Sequence, residues 1–497
     1  DGGTGGDASY ERRYANHGST GNSGDGGRGA DAIVLGDTST VLNINGTMRG
    51  GNGGNGGKKP SAAAGNPPPG EGGLGGNGIT ASQGGTVTNK GTITGGKGGT
   101  GGLKSDGTAS TWAAGGYGIL LSGVGGKVIN AGTISGGLYG NGTDRTNAVS
   151  FMGGNSTLEL HSGSVITGDV VAQETGNTFV LGGDDDDTFA GTVSATTTGT
   201  EQYRGFQTNA KDGASTWTLI GDYNGWTIKQ GVLQIGNGGT TGSVSGDVIT
   251  GIDATTKGTL AFNRSDSVVF DHLISGTGFV EQKGPVDSIV TLTADNTYTG
   301  GTIISSGTLQ LGNGGTTGSI MGDVTNNGTL VFNRSDGLTF SGLISGTGAL
   351  TQTGPGATIL TGDSTYTGGT IISSGTLQLG DGGTTGSIMG DVTNNGTLAF
   401  NRSDGVMFSG LISGTGSLSQ TGPGTTILTA DNTYSGGTTV STGTLQLGDG
   451  HVSGSFKGDA SIATGAALAF NRSDAVDFDG SLSGAGLLTR WVPVHFP

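Results

Sequence analysis

Residues from about 220 to 490 form a tandem array of long, similar repeats. The block Thr-Tyr-Thr/Ser-Gly-Gly-Thr places Tyr298, Tyr366 and Tyr434 at equal intervals, a period of about 68 residues. Two further blocks recur at similar intervals, Leu-Gln-Leu/Ile-Gly from positions 233, 309, 377 and 445, and Phe-Asn-Arg-Ser-Asp from positions 262, 332, 400 and 470. A fixed period of this size indicates a repeat architecture in which each unit packs mainly against its neighbours along the chain.

Each repeat divides into short stretches in which apolar and polar residues alternate, as in 307–311, 328–332 and 357–361. Alternation with a period of two, bounded by Gly, Asn and Asp, predicts strands joined by turns. No stretch keeps the helical period of about 3.6 residues. Dividing 68 by three gives about 23 residues, so we expect each repeat to supply three coils of a β-solenoid. The predicted fold class is all-β, a parallel β-helix.

The composition agrees with a narrow stacked core and excludes several functions. Of 497 residues 112 are glycine, 31% are hydrophobic and only 12% are charged. The absence of cysteine excludes disulfides, thiolate zinc sites and a cysteine nucleophile. The formal net charge of −16 makes nucleic acids and anionic membrane surfaces poor partners. The sequence contains no apolar run of about 18 residues, so it predicts no membrane-spanning helix.

Residues 1–150 carry a different repeat, in which Val41, Val87 and Val128 mark equivalent positions at two unequal spacings. Each spacing fits either two coils or one coil with a long excursion. The glycine-rich segments 50–57, 67–78 and 95–102 are the candidate excursions. Their composition is typical of flexible linkers, so we expect them to protrude as flexible loops.

The segment from Asn296 to Asp336 carries the recurring pattern in full. It reads Asn-Thr-Tyr-Thr-Gly-Gly-Thr, then Ser-Gly-Thr-Leu-Gln-Leu-Gly-Asn-Gly-Gly, and later Asn-Asn-Gly-Thr-Leu and Phe-Asn-Arg-Ser-Asp. This pattern resembles the passenger-associated strand repeat of Gram-negative autotransporters, over roughly residues 215–490. The resemblance implies a right-handed parallel β-helix exported through the protein's own C-terminal outer-membrane β-barrel, which we expect to be absent from this chain.

We divide the chain into residues 1–150 (glycine-rich β-helix coils with loops), 151–220 (junction coils), 221–490 (tandem repeats) and 491–497 (a tail off the pattern). Tyr203-Arg204-Gly205-Phe206 is similar to the junction that precedes such repeats. After Arg490 the repeat predicts Gly-Pro-Gly, but the sequence continues from Trp491 to Pro497 without it. Codons for these residues, read one base earlier, can encode the missing motif, so we expect either a frame slip that truncates the passenger or a sequence error.

Candidate sites are few. The run Asp184, Asp185, Asp186 and Asp187 after two glycines could gather Ca²⁺, which prefers carboxylate oxygens. The run occurs once, whereas stacked calcium sites need several copies, so we expect a solvated acidic turn and no metal. The four Asn-Arg-Ser triplets match an N-glycosylation pattern but also suit turns or an inter-coil amide ladder, and we favour turns. Their asparagines are Asn263, Asn333, Asn401 and Asn471.

No nucleophile motif is present, and the sequence predicts neither catalytic residues nor a cofactor. We therefore expect a non-enzymatic adhesin passenger at the bacterial cell surface or in secreted form. Its partners would be a second copy of itself, as in biofilm formation, or a host-surface glycan or protein. Two alternatives stay open. One is a polysaccharide-active β-helix enzyme, which a cluster of carboxylates with Lys or Arg in a groove would support. The other is a stalk for a head that precedes this chain.

Overall fold

The computed structural model describes residues 25–36, 41–58, 69–104, 106–490 and 494–495. Over these residues all regular structure is β, in 53 short strands, and there is no helix. The strands pair in parallel across successive coils of the chain. The predicted all-β parallel β-helix is therefore confirmed. None of the described residues belongs to a helix long and apolar enough to cross a membrane.

The strands before residue 212 are β1 (Ile33–Leu35), β2 (Val41–Ile44), β3 (Thr47–Arg49), β4 (Ile79–Ala81), β5 (Thr86–Asn89), β6 (Thr92–Thr94), β7 (Ile119–Leu121), β8 (Lys127–Asn130), β9 (Thr133–Ser135), β10 (Val149–Phe151), β11 (Thr157–Leu160), β12 (Val165–Thr167), β13 (Val170–Ala172), β14 (Thr178–Leu181), β15 (Asp187–Phe189), β16 (Val193–Ser194), β17 (Tyr203–Arg204) and β18 (Thr208–Lys211).

The later strands are β19 (Thr216–Leu219), β20 (Asp222–Tyr223), β21 (Trp226–Ile228), β22 (Gly231–Ile235), β23 (Ser243–Val244), β24 (Val248–Thr250), β25 (Gly258–Phe262), β26 (Ser267–Phe270), β27 (Ile274–Ser275), β28 (Phe279–Gln282), β29 (Ile289–Leu292), β30 (Thr302–Ile304), β31 (Thr308–Leu311), β32 (Val324–Asn326), β33 (Thr329–Phe332), β34 (Leu338–Phe340), β35 (Ile344–Ser345), β36 (Ala349–Gln352), β37 (Ala357–Leu360), β38 (Thr370–Ile372), β39 (Thr376–Leu379), β40 (Val392–Asn394), β41 (Thr397–Phe400), β42 (Gly405–Phe408), β43 (Ile412–Ser413), β44 (Ser417–Gln420), β45 (Thr425–Leu428), β46 (Thr438–Val440), β47 (Thr444–Leu447), β48 (Ala460–Ile462), β49 (Ala467–Phe470), β50 (Val476–Asp477), β51 (Leu482–Gly484), β52 (Leu487–Arg490) and β53 (Val494–His495).

The chain divides into two compact units. Unit 1 contains the described residues up to 187 together with 191–210, and unit 2 contains 188–190 and the described residues from 211 onward. In unit 1, Ile79 pairs with Ile33 on one side and with Ile119 on the other. The chain therefore completes one coil between Ile33 and Ile79 and one more between Ile79 and Ile119. A coil without an excursion is much shorter and runs from Val149 to its partner Val170. The longer spacings are therefore single coils with excursions.

The excursions of unit 1 pack together in a glycine array, which we define as the described parts of residues 25–32, 50–57, 69–78, 95–102, 110–118 and 136–140. Hydrogen bonds between its segments repeat every third residue, as when the Gly50, Gly53 and Gly56 N–H groups donate to carbonyl oxygens at positions 94, 97 and 100. The next residue in each triplet, at positions 51 and 54, donates instead to positions 30 and 27. A period of three is the repeat of an extended left-handed helix, whose successive residues point in three directions.

Glycine is required in the array because the segments approach each other through bare backbone. A Cβ added to Gly96 would lie 1.9 Å from the Gly51 carbonyl oxygen, and one added to Gly73 would lie 2.2 Å from that of Gly27. The third residue of each triplet carries the side chains, and Asn52 Oδ1 accepts a hydrogen bond from the Lys97 N–H at 2.9 Å. The expectation of flexible loops is therefore wrong for the described parts of 50–57, 67–78 and 95–102. Composition alone does not distinguish a flexible linker from this period-three packing.

The coils of unit 2 are shorter than expected from the sequence. Leu309 stacks on Leu330, then on Leu350 and Thr370, so the third coil ends at Thr370, before the repeat itself is complete. The rest of the repeat carries the chain from Thr370 to Leu377, which lies in the next strand. One repeat is therefore three coils and about a third of another.

Because one repeat is longer than three coils, each repeat begins one side further around the coil than the repeat before it. We label the sheets of unit 2 as sheet A (β19, β22, β25, β28, β30, β32, β35), sheet B (β26, β29, β31, β33, β36, β38, β40, β43), sheet C (β34, β37, β39, β41, β44, β46, β48, β51) and sheet D (β42, β45, β47, β49, β52). The equivalent residues Leu309, Leu377 and Leu445 lie in sheets B, C and D. In early coils the chain passes from sheet C to sheet A, and in later coils it passes from sheet C to sheet D. Sheets A and D therefore lie on the same side of the coil.

The repeated aromatic residues fill the core of unit 2. Phe332 packs against Phe340 with ring centroids 5.8 Å apart, and Phe400 packs against Phe408 at 5.9 Å. The buried Tyr298 hydroxyl lies 2.6 Å from Thr302 Oγ1, and the other two repeats keep the same pair. A buried hydroxyl needs a hydrogen-bond partner, which explains why Tyr and Thr recur together at this short spacing.

We predict that Gly96→Ala disrupts the glycine array. The added methyl group would clash with the Gly51 carbonyl oxygen, and overpacking of this kind typically costs about 1–3 kcal/mol. Hydrogen exchange should accelerate at the N–H groups of Gly96 and Gly116, which bond across the array. Gly27→Ala is the matched control, since a Cβ there meets nothing within 4 Å. Equal protection in both variants would contradict the close packing.

A second prediction concerns Gln282, whose buried Oε1 has no hydrogen-bond partner. The equivalent Gln352 Oε1 accepts a bond from Thr358 Oγ1 at 2.7 Å. In the earlier repeat the position equivalent to Thr358 is Val290, and the Gln282 amide donates to Ser288 Oγ. Val290→Thr should supply the missing donor and raise the free energy of unfolding by about 1 kcal/mol. Denaturant titration measures this, and Thr358→Val, the reverse change, should lower it. A destabilised Val290→Thr variant would count against the assignment.

Candidate functional site

On sheets B and C of unit 2, the positions that alternate with the core carry mostly small polar residues. In sheet C the positions that alternate with the core are Thr339, Ile359, Gln378, Ala399, Ser419, Thr439, Ser461 and Ser483. In sheet B the corresponding column is Val269, Thr291, Gln310, Val331, Thr351, Ile371, Thr393 and Ser413. Parallel pairing stacks these side chains in register along each sheet. Hydroxyl and amide groups predominate, and each can donate and accept hydrogen bonds.

The Phe-Asn-Arg-Ser-Asp block forms a clamp between coils. Arg334 Nη1 lies 3.1 Å from Asp295 Oδ1, and Arg334 Nε lies 2.9 Å from Asp336 Oδ1. Arg334 also donates to the carbonyl oxygen of Thr316. The hydrogen bond from Arg334 holds the pKa of Asp336 below its usual value. Arg402 and Arg472 repeat the arrangement, so these guanidinium groups are engaged in structure.

The asparagines of the Asn-Arg-Ser triplets occupy turns directly after strands. The Asn333 N–H donates to the Leu311 carbonyl oxygen at 2.9 Å, and its own carbonyl oxygen accepts from the Gly314 N–H at 2.8 Å. The four copies follow strands of sheets A, B, C and D, so they do not stack on one another. The proposed amide ladder is therefore wrong for these residues. A ladder exists instead in unit 1, where Asn89 Nδ2 donates to Asn130 Oδ1 at 2.7 Å.

Asp184, Asp185 and Asp186 lie between β14 and β15, and Asp187 is the first residue of β15. Asp184, Asp185 and Asp186 are exposed, and Asp187 Oδ2 accepts a hydrogen bond from the Gly163 N–H at 3.2 Å. Over the residues that the structure describes, no three His, Asp or Glu side chains converge in a way that could hold a metal ion. The solvated acidic turn stays a prediction.

An open groove of about 250 Å³ lies on unit 1, lined by Lys90, Ala131, His161, Ser162, Gly183, Asp184 and Asp185. Lys90, Ala131 and His161 follow the ends of successive strands, and backbone bonds to Asn89 and Asn130 stack Ala131 and His161 in one column. The short Ala131 side chain between two long ones leaves the groove open. Two of the predicted aspartates line it, whereas its other polar residues were not singled out from the sequence.

Glu159 lies beside this groove, where it is ion-paired with Lys127 and contacts the His161 ring. Its carboxylate oxygens lie 2.8 Å from Lys127 Nζ and 2.7 Å from His161 Nε2. Burial alone would raise the pKa of Glu159, but hydrogen bonds from His161 and Lys127 outweigh it and lower the pKa to about 2. Lys127 and Glu159 are distant in sequence and meet only because β8 pairs with β11. Only the pairing register between the coils could have revealed this cluster.

Sequence comparison places the repeats of this parallel β-helix in a known family. The passenger-associated-transport-repeat family matches residues 210–235, 288–311, 350–379 and 418–447. All four matches end at the strand that carries the Leu-Gln-Leu block. The fold and these repeats define the chain as an autotransporter passenger domain.

The chain is also similar to the protein named adhesin BmaC autotransporter of Brucella suis biovar 1 (strain 1330), with 32% identity over 267 residues. The aligned region is 50% of this chain but spans only 7% of the relative's length. No solved structure matches the chain.

The Glu159 contacts with Lys127 and His161 should stabilise unit 1 in a pH-dependent way. Because the folded-state pKa of Glu159 is lowered from 4.5 to about 2, its contribution is present above pH 4.5 and is lost as the pH falls toward 2. The melting temperature of Glu159→Gln should therefore be lower than that of the unaltered protein above pH 4.5, with the two converging near pH 2. Glu174→Gln removes the same charge from an exposed position and is the control. A gap independent of pH would contradict the assignment.

Proposed function

We propose that this chain is the adhesive part of an autotransporter passenger and acts at the bacterial surface or after release. The observation that carries this proposal is the stacked column of hydroxyl and amide side chains on sheets B and C. Each exposed hydrogen bond contributes only about 0.5–1.5 kcal/mol, so adhesion through such a column depends on many weak contacts acting together. The name of the Brucella relative, an adhesin, supports the same conclusion.

Self-association is the first partner that we propose. The polar columns of sheets B and C resemble each other in chemistry, so two copies can align side by side through either of them. Because equivalent motifs move to the next side with every repeat, identical residues do not recur at the repeat spacing along one side. We therefore propose contact between chemically similar columns and not between identical positions of successive repeats.

The enzyme alternative has one observation in its favour, the groove beside Lys127, Glu159 and His161. Its electrostatics argue for a structural role. A carboxyl group with a pKa of about 2 stays ionised near neutral pH and cannot donate a proton there. Lys127 Nζ lies 2.8 Å from that carboxylate and is engaged in the ion pair between the two coils. We therefore favour adhesion over polysaccharide cleavage.

Display of the chain on non-aggregating cells tests the proposal. Cells carrying it should clump, and clumping should strengthen between about 10 and 150 mM salt because screening reduces repulsion between chains of net charge −16. Settling assays measure this, with adhesion to host-cell layers scored in parallel and undisplayed cells as the control. Cells that neither clump nor adhere at any salt concentration would refute the adhesive function and favour the stalk.

Two matched deletions test which side of unit 2 associates. Removing residues 309–369 takes out three coils and puts Thr370 in the place of Leu309, whereas removing 309–376 puts Leu377 there and shifts all later strands by one side. We expect both to weaken clumping to a similar, partial degree, because the columns of sheets B and C are chemically alike. A loss confined to the longer deletion would contradict this equivalence.

A further inference from the structure

Trp112 lies at the outer end of the glycine array with 48% of its surface exposed. It is the one aromatic residue of the described chain in the exposed class, since the other Phe, Tyr and Trp side chains there are buried or half-buried. An exposed indole combines a flat apolar face with an N–H donor, which suits contact with a ligand that has both apolar and polar groups.

The position of Trp112 follows from the period of three. Trp112 shares one row of its segment with Gly115 and Gly118, which follow it at intervals of three residues. A Cβ on Gly115 would lie 2.3 Å from the Gly137 carbonyl oxygen. Trp112 is the next member of this row, one period beyond Gly115, where the neighbouring segment ends at Gly140. A Cβ on Gly140 would lie 2.8 Å from the Trp112 Cβ. The Trp112 Cβ therefore lies beside Gly140, at the end of this row of the array.

A fixed hairpin of polar residues continues directly from Gly140. The Tyr139 N–H donates to the Asp144 carbonyl oxygen at 2.8 Å, and the Gly142 N–H donates to the Tyr139 carbonyl oxygen at 2.9 Å. Asn141 Nδ2 donates to Asp144 Oδ2 at 2.7 Å. Tyr139 is half-buried, while Asp144 is exposed. Trp112 and a hydrogen-bonded hairpin with an exposed carboxylate are thus neighbours at this end of the array.

We propose that Trp112 and the 139–144 hairpin form a binding subsite for a neutral saccharide. An aromatic ring offers a flat apolar face to the C–H groups of a sugar ring, while amide and carboxylate groups bond to the surrounding hydroxyls. Asp144 and the chain's charge of −16 oppose an acidic sugar. The subsite rests on the proposed adhesive function and names a partner class for it. Rigidity favours binding because little conformational freedom is lost.

The test uses the whole purified chain with N-acetyllactosamine, chitobiose and cellobiose as neutral probes and sialyllactose as the acidic one, followed by ligand-observed NMR. At least one neutral probe should bind. Trp112→Ala should weaken that binding by about tenfold, whereas Trp112→Phe, which keeps an aromatic face, should stay within about threefold. Val124→Ala alters another exposed apolar residue of unit 1 and should change nothing.

The proposal is overturned if no neutral probe binds, if only sialyllactose binds, or if Trp112→Ala binds as well as the unaltered chain. Hydrogen exchange in the glycine array verifies folding of each variant, and Asn141→Ala gives a second test if Trp112→Ala unfolds the array. Displayed cells separate this proposal from the adhesive function. If cells displaying the Trp112→Ala variant adhere as well as cells displaying the unaltered chain, adhesion does not depend on the subsite. If the purified chain binds a neutral sugar but cells displaying it do not adhere, the subsite exists without the adhesive function.

Discussion

The parallel backbone hydrogen bonds between successive coils are the constraint on which the whole structure depends. Each strand must return to its partner in register, and in unit 2 the chain does so in short steps such as that from Ile289 to Thr308. Buried backbone groups left unpaired are costly, so any surplus chain has to leave the coil and satisfy its own hydrogen bonds elsewhere. In unit 2 the Arg334 clamp secures such a loop between coils, while in unit 1 the surplus builds the glycine array.

The glycine array meets the same requirement without sheets. Its extended segments bond to neighbours in several directions, which is feasible only where no Cβ separates the backbones. This turns a composition typical of flexible linkers into a rigid extension of unit 1. Side chains are confined to every third residue and to the ends of rows, so the positions of Asn52 and Trp112 are set by the period. A rigid display of a few side chains suits recognition better than a mobile loop, because less entropy is lost on binding.

The mismatch between repeat and coil distributes each motif around unit 2. Leu309 and Leu377 have the same neighbours in sequence but lie in different sheets. Contacts within a repeat, such as Tyr298 with Thr302, are therefore copied faithfully, whereas contacts between neighbouring coils join different parts of the repeat. Arg334 and its equivalents compensate aspartates locally, which reduces repulsion in a chain whose net charge is −16.

The sequence by itself determined the strands, the repeats and the family, because the alternation of apolar and polar residues and the recurrence of whole blocks can be read directly from the order of residues. It also indicated that the Asn-Arg-Ser asparagines lie in turns. The coil length, the movement of repeats between sheets, the packing of the glycine segments and the meeting of Lys127, Glu159 and His161 were decided only by the tertiary structure. These features depend on which backbone groups pair across coils, and a register that joins Lys127 to Thr157 is not encoded in any short stretch of sequence.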